Sequence, residues 1–118
     1  MTDTINLLSK RLVEFAKARD WEQFHSPKNL SMALIAEAAE LVEHFQWLTE
    51  DQSKRLPQEK WEEVKLELAD IQIYLLRIAE RLEVDLFAAV EEKIAINERR
   101  YPVEKVRGSA RRASEYEG

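Results

Sequence analysis

The stretch from Val64 to Ala79 limits the fold more than any other part of this chain. Val64, Leu66, Leu68, Ile71, Ile73, Leu75, Leu76 and Ile78 recur too densely for one face of a helix, and no glycine or proline interrupts them. A helix apolar nearly all round must be covered on more than one side. At 118 residues the core is thin for a domain that stands alone, so a second subunit is the natural cover. The pattern predicts an obligate homo-oligomer, at least a dimer.

Around that segment the chain reads as all helical. It holds two glycines and three prolines against plentiful Ala, Leu, Glu, Lys and Arg. A first helix is expected from Thr4 to Asp20, with Thr2, Asp3 or Thr4 as its N-cap and Ile5, Leu8, Leu12, Phe15 and Ala16 at helical spacing. After a connector, Trp21 to Ser26, Ser26 and Pro27 read as N-cap and first residue of a second helix running to Leu48. Thr49 to Gln58 reads as a loop, with Pro57 starting a third helix that reaches Glu83. Asp85 can cap a fourth through Arg100, and Pro102 ends it. Residues 103–118 read as an extended, charged tail on a single domain spanning 1–118. The expected architecture is an all-α four-helix bundle.

Several classes drop out on composition. The net charge of −5 argues against binding polymeric nucleic acid, and no apolar run is long enough to span a membrane. No cysteine is present, which removes disulfides and thiolate metal sites and fits a cytoplasmic setting. The N-terminal residues lack the basic and apolar pattern of a signal peptide.

Four acids sit where apolar residues belong. On the second helix Glu37 falls inside the cluster of Leu30, Ala33, Leu34, Leu41, Phe45 and Leu48, and Glu40 lies one turn on. On the third, Glu67 and Asp70 interrupt the greasy run. Carboxylates buried without partners cost several kcal/mol each. Salt bridges, protonation or a bound cation relieve that cost. Pairs at i, i+3 point the same way from a helix, so two such helices can aim four oxygen donors at one volume. With no Cys and no nearby His, hard carboxylates favour Mg²⁺, with Mn²⁺ as a substitute. Glu37, read as the deepest of the four, is the candidate to orient or deprotonate a water, with Glu40 beside it. Glu59, Glu62, Glu63, Glu91 and Glu92 read as solvated or as partners of a helix dipole.

On the fourth helix Lys93, Asn97 and Arg100 continue the stripe of Leu86 and Val90, so the inner face turns polar. Inward cations and amides opposite acids suit a metal-bound polyphosphate. Arg107 offers one more cation. Trp21, His25, Asn29, Trp47 and Tyr74 lie near the ends of the second helix or one turn past Asp70, where rings can stack on a base and polar groups can read its edge.

These residues resemble a known family. Glu37-Ala38-Ala39-Glu40, twenty-six intervening residues and Glu67-Leu68-Ala69-Asp70 are similar to the E-x-x-E and E-x-x-D pair of the MazG-like, all-α nucleoside triphosphate pyrophosphohydrolases. The likeness runs through residues 19–30, Phe45 to Trp47, 67–75, Val84 to Leu86 and 96–109, and resembles the deoxycytidine triphosphate pyrophosphatase branch. It implies Mg²⁺ on Glu37, Glu40, Glu67 and Asp70, and a nucleoside pocket of Trp21, His25, Asn29, Trp47 and Tyr74. It also implies phosphate contacts from Lys93, Asn97, Arg100, Tyr101 and Arg107. The implied reaction cleaves dCTP, or a modified pyrimidine deoxynucleotide, to monophosphate and pyrophosphate. One position departs. Leu12 can neither donate nor accept where members of that branch can carry a polar, base-reading residue.

Two other classes fit a helical bundle. A carboxylate di-iron protein needs Glu-x-x-His on two helices, and this chain has only Glu22 to His25, in a connector. A non-catalytic helical adaptor would account for the greasy helix but not for inward Glu37, Lys93 and Asn97.

Overall fold

The structure is a computed structural model that describes residues 2–109. Among those residues there are helices and turns and no strands. Helix α1 spans Thr2–Ala18, α2 Pro27–Phe45, α3 Glu50–Ser53, α4 Gln58–Arg81, α5 Leu86–Arg100 and α6 Val103–Val106, with a 3₁₀ turn at Glu22–Phe24. No described helix is long and apolar enough to cross a membrane.

The chain divides into two compact units, Met1–Val84 and Asp85–Gly118. In the first, α2 lies along α4, and α1 packs on α4 as well. Its core consists of Ala16, Leu30, Val64, Leu76 and Ala79, each from one of these three helices. Among the described residues Leu30 is the largest side chain that is fully buried. In the second unit, Asp85 caps α5 by accepting from the Ala88 amide at 3.1 Å.

The start and stop signals act as the chemistry demands. Ser26 accepts from the Asn29 amide at 3.1 Å with Pro27 in the first turn, so α2 begins as expected. Asp20 and Glu83 both take left-handed backbone, φ 55, just after α1 and α4. Each lets the next amide reach back, Trp21 to the Ala16 carbonyl at 2.9 Å and Val84 to the Ala79 carbonyl at 2.8 Å. The first of these closures turns Trp21 back towards α1.

Four sequence expectations need correction. Helix α1 starts at Thr2, so Thr2, Asp3 and Thr4 lie inside it rather than at its cap. Helix α2 stops at Phe45, and residues 46–48 form a turn. The segment read as a loop holds α3, which Thr49 and Gln52 close with a reciprocal capping box. The tail is not extended from its start, because residues 103–106 form α6, while residues 110–118 lie outside the described part.

Candidate active site

The α2–α4 pairing brings the two acidic pairs together. Carboxylate oxygens of Glu37, Glu67 and Asp70 lie within 4.8 Å of one another. Two oxygens on opposite sides of a Mg²⁺ ion, each at about 2.1 Å, are about 4.2 Å apart, so small side-chain shifts would let these three share one ion. Glu67 is the most enclosed, 9 % exposed, whereas Glu37 is half-buried. The expectation that Glu37 sits deepest is therefore corrected. Glu67, on α4, is the more enclosed residue, although Glu37 keeps its Oε2 buried.

These acids are not neutralised by the protein. Glu37 Oε2 and Glu67 Oε1 are buried and have no hydrogen-bond partner. No described lysine or arginine forms an ion pair with any of the four, whereas the solvated acids of α4 do find cations. Lys65 meets Glu62 at 2.7 Å, and Lys60 meets Glu63 at 3.4 Å. The carboxyl of Glu67 is pushed up to about 8, first by sharing a proton with Glu37, then by burial, then by Glu40. Glu40 thus faces Glu67, although it is exposed and stands outside the closest group of three. Carboxylates that hold a proton near neutrality for want of a cation, with only hard oxygen donors around them, fit a divalent ion such as Mg²⁺.

Beside the acids opens a cavity of about 310 Å³ lined by Leu12, Phe15, Ala16, Trp21, His25, Asp70, Ile73, Tyr74 and Arg77. Asp70 belongs both to this cavity and to the acid cluster. Trp21 meets Phe15 edge to face, with ring centroids 5.7 Å apart, and His25 at 6.2 Å. Burial, then the charges of Arg77 and Arg81, hold His25 below its ordinary value, opposed by Glu22. Burial, followed by Glu37 and Asp70, pushes the Tyr74 hydroxyl up, so it stays a donor. A larger cavity, about 750 Å³, lies among Leu48, Gln52, Arg55 and Lys60 in the α2–α4 connection. None of the four acids lines it, so the chemistry favours the smaller one.

The MazG-like family model matches residues 33–115. The chain belongs to the MazG-like family. Human dCTP pyrophosphatase 1 (Homo sapiens) is 44% identical over 114 residues, which cover 95% of this chain and 67% of that protein. The Mus musculus dCTP pyrophosphatase 1 is 45% identical over 109 residues, covering 91% of this chain and 64% of its own length. This MazG-like chain thus spans about two thirds of the curated relatives it matches. A solved pyrophosphatase from Archaeoglobus fulgidus has a TM-score of 0.80 at 38% identity, covering 84% of this chain and 93% of that one.

Other expected site residues of this MazG-like chain fall elsewhere. Trp47 is 87 % exposed in the turn after α2 and does not line the cavity. Residues 46–48 turn away from the helix, so Trp47 does not continue the face that carries Glu40. Asn29 spends its side-chain amide on the Phe24 carbonyl, 3.0 Å away, and so ties the 3₁₀ turn to α2. Lys93, Asn97, Arg100 and Arg107 are exposed and Tyr101 is half-buried, all in the second unit. Arg77 was missed by the sequence reading. It follows Asp70 by two turns on the same side of α4, and the argument that singled out acids in an apolar run applied equally to it.

Proposed function

We propose that this chain hydrolyses a nucleoside triphosphate, dCTP or a modified pyrimidine deoxynucleotide, to the monophosphate and pyrophosphate with Mg²⁺. The observation that carries this reading is the cluster of Glu37, Glu67 and Asp70, paired with no lysine or arginine among the described residues and opening onto an aromatic cavity. Relatives at 44% and 45% identity named dCTP pyrophosphatase 1 support the substrate.

The sharing of Asp70 sets the bond that is cut. A nucleoside seated between Trp21, His25 and Tyr74 places its nearest phosphorus, the α-phosphorus, against the acids. When bound, the divalent ion supplies Lewis acidity and makes water more acidic. Glu37 and Glu40, at the open side of the cluster, orient the attacking water and take its proton. Trp21 and Tyr74 hold the base plane, and the apolar wall of Leu12 and Phe15 keeps water from it. For the phosphates we propose Lys93, Asn97, Arg100, Tyr101 and Arg107, on the chemistry of their side chains. Trp47 and Asn29 stay in the proposal as nucleoside contacts, Trp47 through its exposed ring. The di-iron alternative loses ground, because His25 in the one Glu-x-x-His pair already faces Arg77 through Nδ1.

The domain is proposed to comprise residues 1–118, since the family match at 33–115 runs through both units. We further propose a four-helix bundle of α1, α2, α4 and α5, assembled as a homodimer or a dimer of dimers in the cytoplasm. Leu66 and Leu68, 62 % and 52 % exposed on α4, support the assembly, since a lone chain would leave such side chains in water. Light scattering should give twice or four times the chain mass, and a monomer at micromolar concentration would refute the assembly.

The reaction is tested by product analysis. Incubated with dCTP and Mg²⁺, the protein should release dCMP and pyrophosphate, with no dCDP. Diphosphate plus orthophosphate, or no product, would overturn the reading.

A further inference from the structure

Arg77 takes no part in the acid cluster, and yet it is only 3 % exposed. A guanidinium carries five N–H donors, accepts nothing and stays charged at any physiological pH. One amino group donates to Glu80 at 3.0 Å, and the other lies 3.3 Å from His25 Nδ1. Its Nε is buried and has no hydrogen-bond partner. Each terminal amino group keeps one N–H beyond those directed at Glu80 and His25, and Arg77 lines the cavity, so these two donors can meet a ligand there.

The cavity tells what would fill it. Leu12, Phe15 and Trp21 supply apolar walls, while His25, Tyr74 and Arg77 supply the polar groups besides Asp70. Arg77 lies seven residues past Asp70 along α4, on the order of 10 Å at the helical rise. That separation suits a nucleoside with its phosphate end at Asp70 and the far edge of its base at Arg77.

We propose that Arg77 is the base-selecting residue, its guanidinium donating to the adjacent N3 and O2 acceptors of cytosine. The proposal rests on the pyrophosphohydrolase reading given above. An arginine fork prefers two neighbouring acceptors, as in its bidentate pairing with guanine O6 and N7. Cytosine presents such a pair on its pairing edge. Uracil and thymine place an N3–H donor there, which opposes the fork. On its pairing edge adenine sets the N6 donor beside the N1 acceptor. His25 and Glu80 hold the fork in place from either side. By facing Arg77 through Nδ1, His25 is fixed as the neutral tautomer with its proton on Nε2. Burial and the Arg77 charge both favour that neutral form.

The experiment compares kcat/KM for dCTP, dUTP and dGTP, read as pyrophosphate release, in the wild type, Arg77→Met and Arg77→Lys. The wild type should prefer dCTP. Both variants should lose the dCTP-over-dUTP ratio by roughly 10- to 100-fold, the discrimination expected of one bidentate contact. Lysine keeps the charge without the fork, so it carries the test if the methionine variant does not fold. A purely structural role would lower both substrates in parallel and leave the ratio intact, which would overturn the proposal. A wild type that prefers dUTP or dGTP would overturn it too. Calorimetric binding of dCMP against dUMP examines Arg77 without turnover, and equal affinities would count against it. Wild-type protein that releases pyrophosphate from no triphosphate would instead remove the reaction reading, a result separate from a retained ratio.

Discussion

In the presence of a chelator at pH 8, Glu67→Gln should melt several degrees above the wild type, and yet with Mg²⁺ supplied it should lose nearly all hydrolysis. Glu67 is the most enclosed member of the acid cluster, and its carboxyl is pushed up to about 8 by Glu37, burial and Glu40. The unfolded chain releases that proton near the ordinary value of 4.5, so the folded state binds one more proton than the unfolded state between about 4.5 and 8. The stabilising contribution is complete below the lower value and is lost as the pH rises through the upper one. Glutamine carries an N–H donor in place of the shared proton and cannot ionise. The variant should therefore show none of the wild-type decline across this window. Its activity should fall on the order of 10³-fold or more, because an amide is a poor ligand where a carboxylate is needed. Melting curves from pH 5 to pH 9 and a pyrophosphate assay read the two effects separately. A variant less stable than wild type at pH 8, or one with more than a few per cent of its activity, would show that Glu67 packs rather than ligates.

Magnesium binding should tighten about tenfold for each pH unit between roughly pH 6 and pH 8, then level off. An ion that needs the ionised Glu67 must displace the proton held there, so below about pH 8 each binding event releases close to one proton. Isothermal calorimetry in two buffers of different ionisation enthalpy measures that proton directly. Stripping the ion with chelator should abolish hydrolysis, and restoring Mg²⁺ should recover it. Pairing of the acids with cations would predict the opposite, an affinity that hardly changes with pH. A flat profile would therefore point to an ion held elsewhere, away from Glu67.

Local signals carried much of the secondary structure because capping is short-range chemistry. Ser26 with Pro27, Pro57 and Asp85 mark helix starts that the structure places within a residue of expectation. The capping box at Thr49 and Gln52 is equally local, but a four-residue helix has no apolar period to mark it. The end of α2 at Phe45 was less legible. Trp47 and Leu48 extend the apolar pattern beyond the last helical turn, and a pattern of side chains does not report where the backbone hydrogen bonds cease.

The sequence by itself determined that the chain is helical and that two acidic pairs stand in apolar surroundings, because residue spacing sets which side chains share a helical face. It could not decide which acid is deepest. Only the packing of α2 on α4 gives Glu67 the enclosed position and leaves Glu40 at the edge. Nor could it show that Arg77 and His25, fifty-two positions apart, meet at 3.3 Å beside the same cavity. Spacing along one helix is fixed by covalent geometry, whereas the meeting of distant segments depends on how apolar faces come together in three dimensions.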